Sequence, residues 1–238
     1  MTAVEAPAPP GWHGKLPSLG DFASRRLDAS FIEVWDGWLA AGLLALREAD
    51  PAGWLDAYLS SPSWRFLLMP GALPGEPGQQ GWAGVLMPSV DRVGRYFPLT
   101  LLQPLGQRPA STQQMQSLWH WLGRLDELAS DALQEDWGVE QLEAELARMV
   151  GPGLDDIVPA TGSAPLVAGA LVELNMPAGL DAATNIGIEA QQLWREKAQG
   201  LAYWFASTDL IGQRLLVSRG LPAAAAIRSL LGATIPPR

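Results

Sequence analysis

Ser18, His13 and Asp21 stand close together near the N-terminus and are the types that a hydrolytic nucleophile, its base and an orienting acid would use. Such triads are assembled across a fold, with the base held separately, so adjacency in sequence adds little. His13, beside Trp12, reads instead as a packing or surface histidine. A second cluster, Asp91, Arg92 and Arg95, lies between two apolar runs, one ending near Ser89 and the next starting near Leu99. Charges in so short a turn must be solvated, paired or engaged by a partner. Three readings follow: a turn braced by an Asp–Arg ion pair, an arginine-bearing recognition loop, or an active site. The paired carboxylates Glu135-Asp136 and Asp155-Asp156 fall in loops or helix starts, where helix N-terminal donors account for them.

Other chemistry is excluded by what the chain lacks. There is no cysteine, so disulfides, thiolate catalysis, zinc fingers and iron–sulfur clusters are out. Two histidines, His13 and His120, cannot make a three-His metal site. The G-x-S-x-G, H-E-x-x-H, G-x-G-x-x-G and EF-hand patterns are absent, and the Gly14-Lys15 pair has proline, not glycine, at position 9 where a P-loop needs it. No cofactor or metal is expected.

The elements that must position these residues follow from periodicity. Ser30 and Glu33 have capping-box spacing, and Phe31, Ile32, Trp35, Trp38, Leu39, Leu43 and Leu46 then keep a helical period. Asp50-Pro51 restarts a helix, with Asp as cap and Pro at its first position, burying Trp54, Leu55, Tyr58 and Leu59. WRFLLMP, WAGVLMPS and LTLLQPL are short apolar runs bounded by Gly and Pro, which predicts consecutive, antiparallel, buried strands. PGALPGEPGQQG between the first two reads as a loop. Residues 111–133 form an amphipathic helix on Met115, Leu118, Leu122, Leu125, Ala129 and Ala132, with His120 on the opposite side. A second helix follows on Val139, Leu142, Leu146 and Met149. Further strands are expected at 166–174, 202–206 and 214–218, and helices at 188–199 and 222–231. These mix without strict alternation. The fold class is therefore α/β in the broad sense (α+β), a three-layer α-β-α sandwich with a mixed, largely antiparallel central sheet. One domain spans 11–232, between tails at 1–10 and 233–238. Trp35, Trp38 and Trp54 belong to the core.

The 238 residues are 48% hydrophobic and 17% charged, enough to fill a core. The net charge of −9 disfavours a nucleic-acid partner. Residues 124–156 hold ten acids against two arginines, so the rest of the chain is nearly neutral. This segment reads as a solvated helix face, with steering of a basic partner as the alternative. The N-terminus has neither a basic nor an apolar signal region, and no apolar run reaches the length of a bilayer span. Cytoplasmic residence without membrane insertion is expected.

GWHGKLPSLGDFASRRL with the following FIEVWDGWL, and PSWRFLLMPG with GVLMPSVDRVGRYFPLT, resemble in order and spacing the TagF family, also called ImpM, of type VI secretion-associated proteins. The core of the resemblance covers residues 11–105, and AYWFAS and RGLPAAAAIRSLLG resemble the family's weaker C-terminal block. Where that block usually runs Ser-x-Trp-Trp, this chain has Ala202-Tyr203-Trp204-Phe205. The resemblance implies a compact α-β-α sandwich. It also implies a cytoplasmic accessory protein that represses assembly or firing of the type VI apparatus after translation. The implied partner is the system's forkhead-associated-domain scaffold, with a functional link to a serine/threonine phosphatase.

Taken with the residues, this points to a non-enzymatic interaction protein. Arg92 and Arg95 are the candidate partner-binding side chains, with Asp91 orienting them, and Lys15 and Asp21 join them if the first motif folds against the second. Alternatives are a structural accessory subunit of the apparatus, or a hydrolase using Ser18 or the Asp91 region.

Overall fold

Apolar residues alternate across each central strand between two separate cores. In β3 (Trp64–Leu68), Trp64, Phe66 and Leu68 enter one core and Leu67 the other. In β4 (Gly81–Met87), Ala83 and Val85 oppose Trp82 and Leu86, and in β5 (Leu99–Leu105), Leu99 and Leu101 oppose Leu102. Burial on both faces turns these strands into the near-continuous apolar runs of the sequence.

The computed structural model describes residues 8–106, 112–149, 151–152, 196–208 and 212–232. Its seven-stranded sheet also contains β1 (Gly11–Gly14), β2 (Ala23–Arg25), β6 (Leu201–Thr208) and β7 (Gly212–Arg219), in the order β2-β1-β5-β4-β3-β6-β7. All of the described pairings are antiparallel, so the mixed component of the expected sheet is not found among them. Helices α3 (Thr112–Gln134) and α4 (Val139–Ala147) cover one face through Leu118, Leu122, Leu125 and Leu142. Helix α1 (Ala29–Ala49), the short α2 (Trp54–Leu59) and the 224–231 segment cover the other. The α-β-α sandwich stands.

Local differences from the expectation have physical causes. Helix α1 begins ahead of Ser30, because the Asp28 carbonyl already accepts the Ile32 N–H, so the Ser30–Glu33 capping box does not form. Asp50 does take a backbone N–H, that of Gly53 at 2.9 Å, but residues 51–53 are a turn and α2 starts at Trp54, so Pro51 is not its first residue. The 70–81 loop contains a 3₁₀ turn, Glu76–Gln79. The last helix divides into a 3₁₀ turn, Ala224–Ala226, and one α-helical turn, Arg228–Leu231. Ile227 between them is driven against Gly42, where a Cβ would stand 2.2 Å from the Ile227 Cδ1. The expected strand at 166–174, most of the helix at 188–199 and the C-terminal tail lie outside the described residues. Pro10, within the expected tail, is buried and its carbonyl accepts the Arg26 guanidinium.

Helix α1 has the length and apolar composition of a bilayer span, yet Phe31, Trp35, Leu39, Gly42 and Leu46 recur at helical spacing and are built into the core. Trp35 is fully buried; Trp38 and Trp54 are half-buried against the same core. Several acids of the 124–156 segment act as ties. Asp126 holds Arg65 at 2.9 Å, and Glu143 holds Arg26 and the Trp12 indole, the latter at 2.6 Å. The Arg26 contacts hold the Glu143 carboxyl below its ordinary range, burial opposing them and the Trp12 bond adding to them.

Candidate functional site

The two charged motifs fold against each other at one end of the sheet, where β1 runs antiparallel to the start of β5. Gly14 makes the approach possible. Its φ is 134°, and a Cβ there would lie 2.1 Å from the Pro98 carbonyl oxygen. The chain then leaves the sheet with Lys15 pointing inward.

Lys15 and Asp91 form a buried ion pair at 2.5 Å, their side chains 3% and 0% exposed. Asp91 is the hub of the 89–97 loop. One carboxylate oxygen accepts the backbone N–H groups of Val93 (3.0 Å) and Arg95 (2.9 Å), and the other accepts Lys15 and the Arg95 Nε (2.7 Å). Burial works against the charge, but the Lys15 and Arg95 bonds outweigh it and hold the carboxyl well below the usual carboxylate range. Backbone bonds close the loop: the Asp91 N–H donates to the Arg95 carbonyl, the Gly94 N–H to the Asp91 carbonyl and the Phe97 N–H to the Ser89 carbonyl. Gly94 supplies the turn with φ 83°.

The first motif clamps this loop from the side. The Arg92 N–H donates to the Leu19 carbonyl at 2.8 Å, and the Arg95 guanidinium donates to the Gly20 carbonyl. Ser89 Oγ donates to the Lys15 carbonyl at 2.7 Å. From below, the buried Tyr58 hydroxyl donates to the Ser89 carbonyl (2.9 Å) and accepts the Ser89 N–H (2.8 Å). Burial pushes the Tyr58 phenol up, the Ser89 N–H opposing it, so it stays neutral.

The sequence-selected residues therefore divide. Lys15 and Asp91 are enclosed and serve as a brace. Arg95 is over half exposed but its guanidinium is held by Asp91 and Gly20, and Asp21 lies 3.8 Å from it. Asp91 thus orients Arg95 but does not hold the Arg92 side chain, contrary to expectation. Arg92 and Val93 stand at the exposed tip of the loop. Sequence reasoning missed Phe22, 45% exposed, and Val93, 64% exposed, as apolar groups beside the arginines. Phe22 packs edge-on against Phe97 (4.8 Å), stacks on His13 (6.0 Å) and lies under the Lys15 ammonium (4.6 Å). No sequence signal marked Phe22 or Val93, because exposure of an apolar side chain is set by the packing.

Ser18, His13 and Asp21 each turn to a different partner. The Ser18 hydroxyl donates to the Trp137 carbonyl at 2.7 Å, His13 Nε2 meets Asp36 at 3.2 Å, and Asp21 accepts its neighbour's N–H, that of Phe22. The triad order suggested by sequence is not assembled. Among the described residues no group of three or more His, Asp or Glu is placed to hold a metal ion. The arrangement offers a rigid, mixed cationic and apolar surface on a loop that is fixed from beneath.

The fold and the site define a three-layer sandwich that presents a braced surface loop at one end of an antiparallel sheet. Residues 11–149 match the TagF N-terminal domain, type VI secretion system-associated, and the chain belongs to this family. It is also similar to the crystal structure of PA0076 from Pseudomonas aeruginosa PAO1, with 35% identity over 96% of this chain and 98% of that one and a TM-score of 0.68. No significant match is found among curated proteins.

Proposed function

We propose that this protein is a cytoplasmic, non-enzymatic regulator that represses type VI secretion by binding the system's forkhead-associated-domain scaffold. Membership of a secretion-associated family supports the system. The observation that carries the mechanism is the 89–97 loop. A buried Lys15–Asp91 pair spends its charges internally and fixes a surface made of Arg92, Val93 and Phe22. Arginine and aromatic side chains dominate interface energetics, and a pre-ordered loop loses little entropy on docking. The commitment of the Ser18 hydroxyl to a backbone carbonyl supports a binding role over a hydrolytic one.

The test is capture of purified scaffold by the wild type and by Arg92→Glu, whose side chain makes no hydrogen bond or ion pair among the described residues. The variant should melt with the wild type and lose capture. Full capture by a folded Arg92→Glu would remove this surface from the account.

A further inference from the structure

Strand β7 ends the sheet, and among the described residues its outer edge pairs with no other strand. The opposite edge is protected by being short, since β2 is three residues long and ends at the exposed Arg25. β7 has no such protection. It runs eight residues, Gly212–Arg219, without proline or lysine, and exposes Leu215 (61%) and Val217 (54%) on one face. Long, flat edges with exposed apolar residues are templates for another strand.

We propose that β7 is a self-association edge, pairing antiparallel with β7 of a second copy about a two-fold axis through Leu216. The strand's own sequence carries the choice of occupant. With Leu216 opposite its symmetry mate, Leu215 faces Val217 of the second copy twice, which joins four exposed apolar side chains into one patch. Gln213 then faces Arg219, and Arg214 faces Ser218, so no arginine opposes another. Shifting the register by two residues either way breaks this match, setting Leu215 against Arg219 or Val217 against Gln213. Cross-strand apolar pairs stabilise such ladders, and like charges directly opposed destabilise them. Arg214, on the other face, lies over Trp64 at 5.7 Å, and Arg219, on the face of Leu215 and Val217, donates to the Gln199 carbonyl at 3.3 Å. Both arginines are thereby held to their own subunit.

One strand edge is a small interface, so the dimer should be weak, with a Kd of roughly 1–100 µM. Sedimentation velocity of the purified full chain across about that range tests it. The wild type should shift from monomer to dimer. Leu215→Glu with Val217→Glu sets carboxylates against each other and should weaken the dimer by about tenfold or more. Leu215→Glu with Val217→Lys sets opposite charges across the axis in the same register and should recover most of the affinity. Both positions are solvent-exposed, so near-ultraviolet circular dichroism should remain that of the wild type. A wild type that stays monomeric throughout overturns the proposal, as does a dimer that the double glutamate variant leaves unchanged. A Glu/Lys variant no tighter than the Glu/Glu variant overturns the stated register. Scaffold capture does not enter these readouts, so they stand apart from the proposed function.

Discussion

Replacing Tyr58 by phenylalanine asks whether the 89–97 loop is held from beneath. Tyr58 is fully buried, and its hydroxyl both donates to and accepts from Ser89. In the variant the Ser89 carbonyl keeps the Phe97 N–H at 3.1 Å, but the Ser89 N–H is left buried and alone. Such an orphan costs about 1–3 kcal/mol. For a domain of this size each kcal/mol lowers Tm by about 2–4 °C, so the expected fall is roughly 2–12 °C, with an unchanged urea m value. The pH dependence carries a sign. The folded phenol ionises above its unfolded value, so its contribution is complete below about pH 10 and is lost as pH rises beyond that. The gap between wild type and variant should be flat at neutral pH and narrow in strong alkali. A Tm within about 1 °C of the wild type would refute the argument that Tyr58 holds the loop base.

Other outcomes follow from the same geometry. Gly14→Ala combines a positive φ with a Cβ driven into the Pro98 carbonyl, and should cost about 2–6 kcal/mol in chemical denaturation; a loss below about 1 kcal/mol would contradict the close approach. Lys15→Met removes one member of the Asp91 brace, and exchange of the Val93 and Arg95 amides, both bound to Asp91, should speed up by about tenfold or more; unchanged rates would show that the brace does not order the loop. Because the Asp91 carboxyl titrates below its unfolded range, its stabilisation is in place above about pH 4 and is lost as pH falls below it. The stability gap between wild type and Asp91→Asn should therefore narrow on acidification, and a gap that widens would reverse the assigned sign.

The three central strands were legible because burial on both faces leaves few polar residues, Arg65, Thr100 and Gln103, to interrupt them. Helices α3 and α4 were legible because one face alone is buried. The start of α1 was not: Ser30 and Glu33 fit a capping box, but the backbone bond from Ile32 to Asp28 moved the helix boundary forward. At the candidate site the sequence singled out two segments that the fold brings together, since charges in a Gly- and Pro-bounded turn demand partners. It did not separate brace from surface. Lys15, Asp91, Arg92 and Arg95 look alike in a string of letters, and only the inward turn after Gly14 makes Lys15 an internal counter-ion. Phe22 and Val93 escaped because an apolar residue is assigned to the core by default, and only the packing reveals that these two remain exposed.

The most direct measurement is calorimetric titration of purified scaffold into three versions of this chain: wild type, Arg92→Glu with Val93→Asp, and Arg228→Glu. Arg228 is exposed on the last helical turn. The account predicts binding by the wild type and by Arg228→Glu with comparable affinity, and a loss of about a hundredfold or more for the loop variant at an unchanged melting temperature. Equal affinity for all three would contradict it.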